Sequence, residues 1–213
     1  MEIQNSFELF VWLKKQNLLD FSPKFWWPNY GTFEVVISTI LTQNTQWKNV
    51  EQSLQNLKNF FNTDLSLENL SEIDKFHLIS LIAPSGFKNQ KSQRIIKLCN
   101  NILSDFDSFD NFKKNVSRDW LLDQKGIGLE SADSILCYAC ERDEMVVDSY
   151  TSRLLHKLGY EFESYDDIKD WLIEGVNENF DKISEIYNQE ISLNYIYSRF
   201  HGKIVEFSKR KSL

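Results

Sequence analysis

The chain is expected to be all-α. Its apolar residues recur at intervals of three and four far more than they alternate, and capping residues precede several of those runs. Only seven glycines and three prolines punctuate it, too few for the turns of a sheet protein. With 213 residues, one large domain or two small ones can bury a sizeable core.

Taken in order, Ser6 is placed to cap a first helix carrying Phe7, Phe10, Val11 and Leu13. A rigid aromatic loop, FWWPNYG, follows, and Thr32 is placed to cap a second helix with Val35, Val36, Ile40 and Leu41. Helical patterns then run through 47–60, 71–81, 90–103, 117–122, 130–140, 150–158, 165–177 and 183–207. There is no internal repeat or low-complexity tract. The one linker-like stretch, CERDEMVVD, is short and charged.

Composition narrows the function classes. Hydrophobic residues make up 42% and charged residues 26%, with no run of ~18 apolar residues, the pattern of a soluble chain without a membrane span. The start, MEIQNSFELFVWLKK, lacks the basic leader, apolar core and small-residue site of a secretory signal, so a cytoplasmic location is expected. Cys99, Cys137 and Cys140 are too few for a disulfide framework and read as buried thiols. CYAC has redox spacing, but no second pair or nearby histidine completes a zinc site. A net charge of −7 counts against nonspecific polyanion binding. Local cations exist at Lys88, Lys91, Arg94 and Lys97, at Lys113 and Lys114, at Lys125, and at Lys203, Lys209, Arg210 and Lys211; individually they read as solvated faces.

Chemistry concentrates in LLDQKGIGLESADSILCYACERDEMVVDSY, from Leu121 to Tyr150. A helix ending near Leu122, the turn KGIG and a helix from Leu129 make a helix-hairpin-helix over about 117–140. Gly126 and Gly128 can adopt positive φ and bring N–H groups to the start of the second helix, where the macrodipole favours an anion. Such a turn can hold a phosphate, and it also occurs at plain helix corners. It is no dinucleotide fingerprint, because a third glycine and a preceding strand are missing. Asp148, after Met145, Val146 and Val147 and before Leu154 and Leu155, can cap a helix. The same shielded carboxylate can stabilise a developing cation.

KGIG followed by an apolar helix, with an aspartate 22 residues after the first glycine, resembles the endonuclease III-like helix-hairpin-helix DNA glycosylases. ILTQNTQ, SGFKNQKSQRIIKL, VVDSYTSRLLHKLG and FHGK agree in order, so the resemblance covers nearly the whole chain. Three departures narrow it. Glu130 stands where bifunctional members carry a nucleophilic lysine, so abasic-site lyase activity is not expected. No cysteine follows Cys140, so no iron-sulfur cluster can be built. Lys125 replaces the usual proline of the turn and adds a candidate phosphate contact. Glu130, the WWP of 26–28 and Trp47 together look most like the 3-methyladenine DNA glycosylases of this superfamily, and aromatic faces would attract a cationic alkylated base at roughly 0.5–2 kcal/mol each.

The resemblance implies a two-lobed fold: a helical barrel over 29–139 containing the hairpin, and a second lobe from 1–28 plus 140–213, with the active site between them. It implies that Asp148 is the catalytic carboxylate and that Trp26, Trp27, Pro28, Trp47 and Lys209 form the base pocket, Lys209 not as a free cation. DNA contacts are expected from Gln43, filling the space of the extruded nucleotide, with Asn44 as the alternative, and from Lys125, Gly126, Ile127, Gly128, Leu129, Glu130 and Ser131. The carbonyls of Leu122, Gln124 and Ile127 are a site for a monovalent cation, K+ or Na+, and no cofactor is implied. The expected partner is double-stranded DNA containing alkylated bases, bound by a monomer. Two other functions share these features: a mismatch or oxidised-base glycosylase of the same fold, and a noncatalytic DNA-binding module in which Asp148 is only a cap.

Overall fold

The computed structural model describes residues 3–211. From the N-terminus its helices are α1 (Ser6–Lys14), α2 (Phe33–Thr42), α3 (Trp47–Phe61), α4 (Leu67–Ser71), α5 (Lys75–Leu81), α6 (Lys88–Phe106), α7 (Phe109–Asn115), α8 (Arg118–Leu122), α9 (Leu129–Ser134), α10 (Ser149–Lys157), α11 (Tyr165–Asn177), α12 (Phe180–Tyr187) and α13 (Leu193–Arg210). A short π-helical segment, Ile135–Ala139, continues α9. No strand occurs among the described residues, so the fold is all-α as the periodicity requires. Asn29–Glu141 forms one compact unit, and the chain up to Pro28 and from Arg142 onward forms a second.

In the central unit, α2 is buried from Phe33 to Leu41. A helix buried on every side has no solvent face, so it becomes the axis on which others pack. Helices α3, α6 and α9 and the π segment all lie against it. Lys91 is a correction to the expected solvated face. It is 1% exposed, and its ammonium donates to Leu41 O (2.8 Å), Thr45 Oγ1 (2.7 Å) and Ser85 O (2.8 Å). Burial, then the nearby Arg94 charge, pulls its pKa down to about 8. It ties the loop after α2 to the loop before α6.

The second unit packs Leu9, Phe10 and Leu13 of α1 against Leu154 and Leu155 of α10, Leu172 and Val176 of α11, and Phe200 and Ile204 of α13. Phe10 and Phe200 meet edge to face at 5.2 Å. Beside them Lys203 is buried, its Nζ 4.5 Å from the Phe10 ring centroid and donating to Tyr187 Oη at 2.7 Å. Burial is the main cause, with Arg199 and Lys14 adding to it, of a pKa brought down to about 7.

Several boundaries differ from the periodic reading, each through a local cap. α1 starts on Asn5, whose Oδ1 accepts the Glu8 N–H, while the Ser6 hydroxyl donates to Trp171 O at 2.8 Å. Thr32 sits at the N-cap of α2, but its hydroxyl donates backward to Asn29 O. The expected helix over 71–81 is split because Asp74 accepts the N–H groups of Phe76 and His77. The run 183–207 is broken where Asn188 turns left-handed at φ 51° and Ser192 caps α13. The short α7, capped by Ser108, has too few turns to show a period.

Lys203 makes stability depend on pH. Between about 7 and the ordinary lysine value near ~10.4, the unfolded chain holds a proton that the folded chain has lost, so raising pH favours the folded state. The wild type should therefore gain stability relative to Lys203→Met from pH 7 to pH 10, with no change in the difference below that window, as read by urea denaturation at each pH.

Candidate active site

The candidate residues fall into two sets, one in each unit. In the central unit the hairpin runs from α8 to α9. Gly126 has φ +88°, which favours glycine, and a Cβ there would lie 2.3 Å from Arg94 Nε, so a side chain would also have to displace the Arg94 guanidinium. Gly128 is different: at φ −103°, ψ −177° it is extended, which corrects the expectation of positive φ at both glycines. It caps α9 with no side-chain hydrogen bond, and nothing lies within 4 Å of where its Cβ would be. That open approach to a helix start suits an anion. Lys125 and Glu130 are exposed, Leu129 is half-buried, and Ile127 and Ser131 are buried.

Gln43 is built into this turn. Its Nε2 donates to Gly126 O (2.9 Å) and Ser131 Oγ (3.1 Å), and its Oε1 accepts from Arg94 Nη1 (2.7 Å). Both ends of the amide are engaged, whereas the neighbouring Asn44 is exposed in a left-handed conformation, φ 52°. Arg94, Lys97 and Lys125 line a small recess with Gln124 and Ile127. Of the three candidate cation-binding carbonyls, that of Gln124 accepts the Ile127 N–H at 3.0 Å. Neutral carbonyls suit a weakly held monovalent cation. Among the described residues, no cluster of three or more histidine, cysteine, aspartate or glutamate side chains could hold a metal ion.

In the second unit, Asp148 caps α10. Its Oδ1 accepts both the Thr151 N–H (2.8 Å) and the Thr151 hydroxyl (2.9 Å), while Oδ2 lies 3.6 Å from His201 Nε2. Burial pushes the carboxyl pKa up, but the His201 side chain and the two Thr151 donors outweigh it, and the net shift is downward. The carboxylate is thus ionised although only 11% of its side chain is exposed. Val147, beside it, is buried and donates its N–H to Tyr165 Oη at 3.2 Å.

Trp26 and Trp27 meet edge to face with centroids 5.9 Å apart, and Trp26 meets His201 in the same way at 5.1 Å. Trp26 sits at φ 70°, and the Trp27 N–H donates across it to Phe25 O at 2.9 Å, a tight turn of the strained hand. A Cβ on Gly202 would fall 2.4 Å from the Trp26 ring, so Gly202 makes room for that ring. Trp27 is buried, while Trp26 and Pro28 are half-buried. Trp47 belongs to the other unit, half-buried at the start of α3. Lys209 is not the desolvated lysine expected: it is exposed on the last turn of α13 and paired with Glu206 at 3.1 Å. The buried lysine of that helix is Lys203.

Sequence reasoning missed Thr151, His201, Arg94 and Gly202. Thr151, three residues past a capping aspartate, could have been found from that spacing. The others meet their partners only through the fold.

The HhH-GPD superfamily of base excision DNA repair proteins matches residues 37–174, a span holding both hairpin and Asp148. The chain is 50% identical to H. pylori 3-methyladenine DNA glycosylase (MagIII), solved bound to 1,N6-ethenoadenine, with a TM-score of 0.95 covering 98% of this chain and 99% of that one. It is 36% identical to a Methanocaldococcus jannaschii protein provisionally assigned as a DNA repair glycosylase, over 97% of this chain and 90% of the relative. An endonuclease III in a non-covalent DNA complex shares the fold at a TM-score of 0.70 and 16% identity, covering 97% and 87% of the two chains. The chain belongs to the HhH-GPD superfamily, and within it is a DNA glycosylase.

The two hairpin glycines should separate in experiment. Gly126→Ala should destabilise the protein by about 1–3 kcal/mol through strain and overpacking, whereas Gly128→Ala should leave thermal stability nearly unchanged and weaken binding to DNA of any sequence. Denaturation and fluorescence anisotropy on both variants check this. Asp148→Asn keeps a capping oxygen without the charge, so base release should fall at least about 100-fold with DNA affinity retained; a folded variant with most of its activity would leave Asp148 as only a cap.

Proposed function

We propose that the protein is a monofunctional N-glycosylase that removes alkylated bases, chiefly 3-methyladenine, from double-stranded DNA and leaves an abasic site. The observation that carries this reading is an ionised, shielded Asp148 carboxylate in the same unit as the edge-to-face Trp26–Trp27 pair. The 50% identity to a 3-methyladenine glycosylase supports it. N3-alkylated adenine is cationic and its glycosidic bond is already weakened. An enzyme for it needs an aromatic face and a fixed negative charge more than a strong general acid.

In this mechanism the hairpin holds backbone phosphates through the open start of α9, and the extruded base stacks on Trp26 and Trp27. Asp148 faces the sugar, stabilises positive charge developing at C1′ and orients the attacking water. Because one end of the Gln43 amide is bound to the hairpin and the other to Arg94 of α6, Gln43 braces that turn, and exposed Asn44, not Gln43, fills the space of the flipped nucleotide. A monovalent cation on the carbonyls of Leu122, Gln124 and Ile127 would add positive charge beside the phosphate. Glu130 offers no amine for a Schiff base, so the product is intact abasic DNA. The active form in this reading is a monomer in the cytoplasm.

The test is base release from three duplexes, one methylated at purines, one mismatched and one carrying an oxidised base. Free 3-methyladenine should appear from the first and little from the others, with no strand cleavage and no borohydride-trapped adduct. Release from the neutral lesions alone would overturn the substrate assignment, and a trapped adduct would overturn the monofunctional one.

A further inference from the structure

The Asp148 carboxylate has two oxygens in unlike surroundings. Oδ1 is held by two donors of one residue, the Thr151 N–H and hydroxyl. Such a cap anchors Oδ1 and leaves the tilt of the carboxylate about that anchored oxygen to be settled by whatever faces Oδ2. That group is His201, whose Nε2 is 3.6 Å away, an electrostatic approach longer than a direct hydrogen bond. His201 is itself 3% exposed and lies edge to face against Trp26. Gly202, next to it, removes the side chain that would push Trp26 out of this contact.

We propose that His201 is a positioning residue of the glycosylase reaction: its imidazole, set between the Trp26 ring and Asp148 Oδ2, fixes the carboxylate plane relative to the tryptophan on which the base stacks. This rests on the assignment of Asp148 as the carboxylate that faces the sugar. A base stacked on Trp26 and a charge aimed at its C1′ must be aligned together, and one buried ring that touches both does this without contacting the substrate. The capping donors alone cannot, because they lie on the helix side of the carboxylate.

The test compares His201→Phe, which keeps a ring against Trp26 without nitrogens, with His201→Gln, whose amide nitrogen reaches about as far as Nε2. Single-turnover release of 3-methyladenine should fall about 10- to 100-fold in the phenylalanine variant, with affinity for undamaged duplex unchanged, and the glutamine variant should recover most of the rate. Independently of any substrate, the 13C titration of the Asp148 carboxyl carbon should move to higher pH in His201→Phe than in the wild type. Equal losses in both variants, an unchanged rate in the phenylalanine variant, or an unmoved carboxyl titration would overturn the proposal. A wild type that releases no alkylated base would sink the substrate assignment instead, and the carboxyl titration would then decide the role of His201 by itself.

Discussion

The proposed chemistry depends on keeping one carboxylate charged where water is scarce. Burial alone would drive Asp148 toward its neutral form, and a neutral acid cannot stabilise an oxocarbenium-like sugar. The fold resolves this with the start of a helix. α10 supplies a backbone N–H, Thr151 adds a hydroxyl to the same oxygen, and His201 faces the other. The capping role and the reactive role proposed for Asp148 therefore draw on one arrangement, since the helix-start donors that the cap satisfies also hold the charge in place.

Around that carboxylate, the segment FHGK of α13 divides its work residue by residue. Phe200 joins the core against Phe10, His201 faces Asp148, Gly202 admits Trp26, and Lys203 lays its ammonium over Phe10. Phe200 and Lys203, three residues apart, share the face toward Phe10, while His201 and Gly202 both meet Trp26. The strained backbone of Trp26 persists because its ring is held by neighbours on this helix and by Trp27.

How much of this could be read beforehand follows from which interactions are local. Helix periods, the hairpin, the capping geometry of Asp148 and the glycine at 126 depend on residues close in sequence, and they were legible there. The breaks at Asp74 and Asn188 were not, because one capping aspartate or one left-handed asparagine interrupts a helix without disturbing the apolar period on either side. Lys91 and Lys203 look like ordinary surface lysines in a list of charges. Their burial follows from the acceptors and rings that distant segments bring to them. The expectation for Lys209 had the right kind of group in the right helix, but the α-helical turn that carries Lys203 inward carries Lys209 to the surface.

The charge inventory changes meaning once these positions are fixed. A chain with net charge −7 has little general attraction for DNA, and Lys88, Lys91, Arg94 and Lys97 read individually as solvated faces. Lys91 is spent inside the protein, joining two loops, and Arg94 packs across Gly126 and holds Gln43. What remains near the hairpin is exposed Lys125 with Lys97 beside it, and the uncapped start of α9. A few cations and a fixed set of backbone donors release few counterions, so the salt dependence of binding should be shallow compared with that of a basic DNA-binding protein. Weak general attraction with a geometrically exacting grip suits an enzyme that must leave undamaged DNA quickly and commit only where a base can be extruded.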